Sequence, residues 1–523
     1  MAMAKVILRR TVKILGLLFA LLVLFILEEN IRGRIELNAY KKELRAKGEK
    51  LTLEELGIPK VPKEGNGTEA LLKAADELAA LGKTCRLASD GQSSKMKMIS
   101  PGRARSLLKQ TELPSPSHPD GQPPAPHGWD DLGAELAGAR PLLEQLKNAL
   151  NQPVLGIEID YEKGFETPLP HLVNLRHLAR WLASAAINDL HHGNSADAVK
   201  NIQTIASLTR FQKDERLLIS QLVRMAVGSI GLNVTWEALQ SPEWNDAQLE
   251  QLQRIWQLNN FAADMEQCFE TERVMGEIEY TMLRGSAKKR WKAMEGIKLL
   301  ESFELTNETQ WGLDSDFIKH IRSFLWWIAW SRHDELHNLQ DWQNLIEGAR
   351  LAALEKSWSN AKSFLNVEKE IGKNGLYDQC RFMFSLNRSP LSRAVFSAIR
   401  CKIQRELTVT AIALKRYQLR HGKLPGSLSL LVPEFLPDLP RDYMNGKPLR
   451  YRLLRPSQGD SALNKNGSFT LYSVGENGRD DGGDPNPPPE KKNSKNMWDG
   501  LDFVWPMPST QKEVEAAEAA AKK

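Results

Sequence analysis

The sequence predicts a mainly α-helical protein: an N-terminal transmembrane helix, a multi-helix body of antiparallel hairpins and a small C-terminal α+β module. Three observations carry this. Residues 14–27, ILGLLFALLVLFIL, contain no charge. From Asp130 onward apolar residues recur at helical spacing, with short polar breaks. After residue 395 one more helical pattern gives way to two alternating segments around an Asn-Gly turn signal.

The apolar run is preceded by Lys5, Arg9, Arg10 and Lys13 and followed by Glu28 and Glu29. It falls short of the about 20 residues that cross roughly 30 Å of hydrocarbon. Thr11 and Val12 extend it, and Lys13 and Glu28 can snorkel. The chain after it reads EENIRGRIELNAY, without the small residues of a signal-peptidase site, so an uncleaved signal anchor is expected. The basic flank, residues 1–13, keeps the N-terminus cytoplasmic and puts the bulk in the periplasm, on the far side of the inner membrane.

Four of the 70 Lys/Arg lie in residues 1–13, which hold no acid, so the rest of the chain carries 66 bases against 65 acids. That balance leaves no electrostatic footprint for nucleic acid. Cys85, Cys268, Cys380 and Cys401 form no C-x-x-C; Cys380 and Cys401 are the closest pair, and free buried thiols are expected.

Residues 28–84 read as a juxtamembrane helical segment in which the anchor continues as a stalk. The breaker IPKVPKEGNG ends it, and Thr68 can cap the next helix. Residues 85–128 read as a solvated Pro/Ser-rich loop holding His118 and His127. Residues 129–394 form the helical domain, in which His191 and His192 stop one helix before a Gly turn. The tryptophans of FLWWIAW, residues 324–330, are core residues by default or else an interfacial contact. In RHDELH, His333 and His337 are four apart and share a helix face, as zinc-binding histidines do. Asp334 stands where the H-E-x-x-H pattern has Glu, and no third ligand is identifiable. Nucleophile elbows, phosphate loops, dinucleotide fingerprints and kinase signatures do not occur.

Residues 395–508 carry the most specific pattern. A helix over Arg400–His421 ends at Gly422, strand compositions follow at Leu449–Leu454 and Ser468–Gly475, and the loop ENGRDDGGDP is acidic and Gly-rich. Tyr417, Gly422 and Pro425, then Asp442, Gly446, Pro448 and Tyr451, then Leu471, Tyr472, Ser473, Gly475, Asn477 and Gly478 form three ordered motifs. Their succession resembles the C-terminal half of the major pseudopilin of type II secretion systems. The second motif has one residue more than in that family, and a Pro-rich stretch precedes Asp499-Gly500-Leu501-Asp502. The resemblance covers about a fifth of the chain. It implies a pseudopilin-like α+β module and structural calcium, with Asn477, Asp480, Asp481, Asp484 and Asp502 as candidate ligands. Residues 509–523 are an Ala/Glu/Lys tail.

The anchor departs from the pseudopilin pattern. Gly16 is followed by Leu17-Leu18-Phe19-Ala20-Leu21, with no acid before Glu28, so a permanent tether is expected rather than a processed, polymerising subunit. The layout as a whole resembles large membrane-anchored proteins of planctomycetes and verrucomicrobia, a resemblance that implies no activity. The expected role is a membrane-tethered structural or interaction protein with protein partners in the envelope, linked to an assembly or secretion apparatus. The rival is an envelope metal-dependent hydrolase using His333 and His337.

Overall fold

A computed structural model describes residues 2–81, 96–110, 113, 128–294, 316–365, 376–385, 391–454, 468–494 and 496–521. The protein is mainly α-helical, with two small sheets. His118, His127 and Cys85 lie outside the described residues.

Helix α1 spans Ala2–Ala46, 45 residues without a break. At 1.5 Å per residue it is about 68 Å long. Its N-terminal half is bare: Leu17, Phe19 and Leu24 are exposed. By length and composition this half suffices to cross a membrane. Its C-terminal half packs on the body, with Leu37, Leu44 and Leu51 in one cluster with Leu339. Thr52 caps the short α2, Leu53–Leu56. Thr68 opens α3, Thr68–Leu81, but the cap comes from Asn66, whose Oδ1 accepts the Thr68 amide at 2.9 Å.

Residues 97–109 differ from the solvated loop that composition suggested. Strands β1 (Lys97–Ser100) and β2 (Arg103–Arg105) form a hairpin, and a 3-10 turn follows at Leu107–Lys109. Ala104 and Leu107 are buried in the main core.

The body comprises α4 (Trp129–Leu150), α5 (His171–His191), α6 (Ser195–Phe211), α7 (Leu218–Leu239), α8 (Asp246–Gln257) and α9 (Met265–Gly285). His192 is the C-cap of α5, as expected. The helix α7 is also long and apolar enough to span a membrane, but 61% of its apolar window is buried inside the protein, which makes it a core helix. Next come α10 (Asp316–Leu325), a π turn (Trp326–Trp330), α11 (Ser331–Glu355), α12 (Trp358–Leu365) and α13 (Leu376–Arg381).

The last long helix, α14, runs Ser392–His421 and stops at Gly422. It packs on α7 and α8 on one side and on a three-stranded antiparallel sheet on the other. That sheet has the order β3 (Arg450–Leu454), β4 (Ser468–Val474), β5 (Asp502–Val504). Leu471, Val474 and Phe503 of the sheet share one core with the body helices. Strand β6 (Met507–Pro508) returns to pair with β2, and α15 (Gln511–Ala521) closes the described chain. Cys268, Cys380 and Cys401 are free, the first and last of them buried.

Candidate functional site: the seam between anchor and body

The helices α1 and α11 lie side by side and run in the same direction. His333 meets Glu29, Glu335 meets Lys41, and Gln343 meets Glu49. The interface begins where the apolar run ends. Glu29, the second residue past the run, is only 1% exposed.

At this upper end the His333 imidazole lies against Gly33. Its Nε2 is 3.0 Å from the Glu29 carbonyl oxygen, and the Arg381 guanidinium donates to Nδ1 at 3.0 Å. A neutral ring with its proton on Nε2 satisfies both bonds. Burial, with Arg381 beside it, pushes the His333 pKa down to about 4, although Glu36 and Glu28 pull the other way. Arg32 pairs with both Glu28 and Glu29, and Asn30 donates to the Ile328 carbonyl at 2.6 Å.

Further along α1, Lys41 bridges Glu335 and Glu277, and Arg284 also pairs with Glu335. Asp334 faces away from α1 and is fully buried. Its carboxylate accepts from Tyr280 Oη (3.0 Å), Trp326 Nε1 (2.7 Å) and the amides of Phe384 and Ser385 (both 3.0 Å). Burial raises its pKa. Asp334 thus ties α9, the π turn, α11 and the segment after α13 into one unit, which explains why a short acid stands between two histidines there.

At the lower end Glu49 is the hub. It accepts from Arg273 (3.0 Å) and Gln343 (3.0 Å), and Arg350 pairs with it. Burial alone would raise its pKa. The bonds from Arg350 and Gln343 and the charge of Arg273 outweigh that and hold it at about 2. Arg273, wholly buried, also donates to the Lys50 carbonyl at 2.8 Å. Buried charges are tolerated here because each has several partners; removing one would strand the others.

His333 and His337 do not come together as a metal pair. Both His333 nitrogens are engaged as described, and His337 Nδ1 lies 3.1 Å from Asp341. Among the described residues no group of three or more His, Cys, Asp or Glu is arranged to hold a metal ion.

Of the five residues expected as calcium ligands, four lie in the loop after β4, and Asp502, which opens β5, returns to it. Asp502, fully buried, accepts the backbone amides of Gly483 (2.7 Å), Asp484 (3.3 Å) and Asp481 (3.4 Å). Asp480 pairs with Arg450 at 2.9 Å and accepts from Tyr472 Oη at 3.0 Å. Asn477 donates to Asp481, and Asp484 accepts from Asn486. In this arrangement the loop's side-chain oxygens accept from protein donors. Asp502 is the late aspartate that returns to the loop. Gly475 lets it do so: a Cβ there would sit 1.8 Å from the Leu501 carbonyl oxygen.

The three C-terminal motifs meet one another. Tyr451 Oη donates to the Pro425 carbonyl at 2.8 Å, joining the second motif to the first. Buried Asp442 accepts from Ser473 Oγ (2.6 Å) and the Val474 amide (2.8 Å), joining it to the third. Sequence reasoning singled out these residues but missed the seam, whose partners lie about 300 positions apart, and it missed Glu237. That buried carboxylate accepts from Ser106 Oγ (2.6 Å) and the Leu107 amide (2.8 Å), fixing the 97–109 segment to α7.

No family model, curated protein or solved structure matches the chain.

Proposed function

We propose that this chain is a membrane-tethered structural or interaction protein. Its N-terminus is cytoplasmic, its bulk lies in the periplasm, and its pseudopilin-like C-terminal unit serves an envelope assembly or secretion apparatus. The observation that carries the reading is the seam. The helix long and apolar enough to cross the bilayer is the same unbroken helix that is locked to the body at Glu29, by His333, and at Lys41, by Glu335 and Glu277, and Glu49 just past its end extends the lock. A body fixed rigidly to its own anchor suits a scaffold, which must present a defined surface. A soluble catalytic domain needs no such fixing and could hang on a flexible linker.

The bonds joining Tyr451 to Pro425 and Asp442 to Ser473 support the pseudopilin likeness, because the motif residues bond to each other rather than scattering. The unit shares its core with the body, so it acts as part of the whole chain. The test is cross-linking of the full chain in its native membrane with identification of captured proteins. The reading expects one reproducible set of envelope proteins, retained when His337 becomes Ala. A divalent-metal-dependent hydrolytic activity lost in His337→Ala, with no reproducible partner, would contradict it.

A further inference from the structure

Three large apolar side chains stay exposed where α10 enters the π turn: Ile321 (42%), Phe324 (55%) and Trp327 (41%). Their position along α1 is informative. Ile26, next to last in the apolar run, packs on the cluster of Trp326, Ala329 and Trp330, together with Leu325 and Ile328. Asn30 then bonds the Ile328 carbonyl. The π turn therefore stands level with the boundary at which the bare apolar surface of α1 gives way to Glu28 and Glu29. Since α11 runs parallel to α1 away from that boundary, the π turn is the membrane-proximal end of α11, and α10 leads into it.

The surroundings are cationic. Residues 284–292, RGSAKKRWK, hold five Lys/Arg and no acid; Arg284 pairs with Glu335, Lys289 and Lys292 pair with Glu166, Arg290 donates to the Leu283 carbonyl, and Lys288 is exposed. The Arg290 guanidinium lies 5.3 Å from the Trp327 ring centre, and Trp327 Nε1 donates to the Arg284 carbonyl at 3.0 Å. An aromatic and aliphatic face beside a basic segment suits the headgroup region: the rings take the acyl boundary and the cations face lipid phosphates.

We propose that Ile321, Phe324 and Trp327 form a second membrane contact, seated in the headgroup layer of the leaflet from which α1 emerges, with the exposed Lys288 of the 284–292 segment facing anionic lipid phosphate. This rests on α1 spanning the bilayer. One span alone leaves the body free to rotate about the membrane normal and to tilt; a second contact beside it removes the tilt.

The test places the photoreactive residue p-benzoylphenylalanine at Phe324, Phe19 or Leu354 of the full chain, one site at a time, in vesicles of phosphatidylethanolamine and phosphatidylglycerol. Leu354, 80% exposed near the end of α11 away from the π turn, is the solvent control. After irradiation, lipid adducts are measured by mass. The expected result is lipid adducts at 19 and at 324, the latter about tenfold above those at 354. Adducts at 19 without adducts at 324 would overturn this contact and leave the anchor standing. Lack of adducts at 19 would remove the anchor itself. A protein adduct at 324 would mean that a second copy of the chain covers the face, and would also overturn the proposal, as would equal lipid adducts at 324 and 354.

Discussion

His333 closes over Gly33: a Cβ added to that glycine would lie 2.9 Å from both Cδ2 and Nε2 of the imidazole. Gly33→Ala therefore has to push the ring off the Glu29 carbonyl or move α1 away from α11. The expected cost is roughly 1–3 kcal/mol, as for other overpacked contacts. Gly16→Ala, in the bare half of α1 with nothing within 4 Å, is expected to cost nothing. Thermal melts of the two full-length variants in one detergent check the contrast.

Glu49 gives the seam an acid-sensitive lock. Its folded pKa of about 2 lies below the ordinary 4.5, so the stability it confers is present above pH 4.5 and is lost as pH falls toward 2. The loss amounts to roughly 3 kcal/mol. Glu49→Gln is expected to remove that part of the acid dependence. Glu49→Ala is expected to cost about 3–5 kcal/mol at neutral pH, because Arg273 is left buried without its carboxylate. Denaturation of wild type and both variants between pH 3 and 7 checks both statements.

Glu237 has the opposite sign. Burial, only partly offset by its bonds to Ser106 and Leu107, raises its pKa to about 7. Its contribution is present below pH 4.5 and is lost as pH rises through 7, again on the order of 3 kcal/mol. Glu237→Gln keeps an acceptor and is expected to flatten this trend. Glu237→Ala orphans the Leu107 amide at a cost of about 1–3 kcal/mol. The same pH series on both variants measures it.

What was legible in the sequence follows from local physics. The uncharged run 14–27 marks the bare half of α1, Gly422 marks the end of α14, and the alternation at Ser468–Gly475 marks β4 to within one residue. What was not legible depends on contacts between distant segments. RHDELH reads as a metal motif because spacing shows that His333 and His337 share a face, but not that Glu29, Arg381 and Asp341 meet them. Polar composition at 85–128 hid a hairpin because its burial comes from a few scattered apolar positions, Met96, Ala104, Leu107 and Leu113, and its polar anchor is Glu237 from another helix. The acidic loop shows the same limit. The resemblance implied calcium ligands there, but not that Asp502 turns back to hold three backbone amides.

That loop makes a prediction of its own. With its carboxylates already held by amides, Arg450, Tyr472 and Asn486, calcium is expected to leave the melting midpoint of the full chain unchanged relative to chelator. Asp502→Ala is expected to lower it by removing the acceptor for three amides, at about 1–3 kcal/mol. A calcium-dependent rise in midpoint that Asp502→Ala abolishes would show that the loop rearranges around a cation.

The central claim is that α1 leaves the bilayer already docked, as one wall of the body rather than a loose stalk. Hydrogen exchange of the full chain in a lipid bilayer tests it most directly, read on peptides covering residues 29–46. The account predicts protection matching that of α9 and α11, falling in Gly33→Ala while α5 and α6 stay protected. Exchange of residues 29–46 far faster than α11 in the wild type, unchanged by Gly33→Ala, would contradict it.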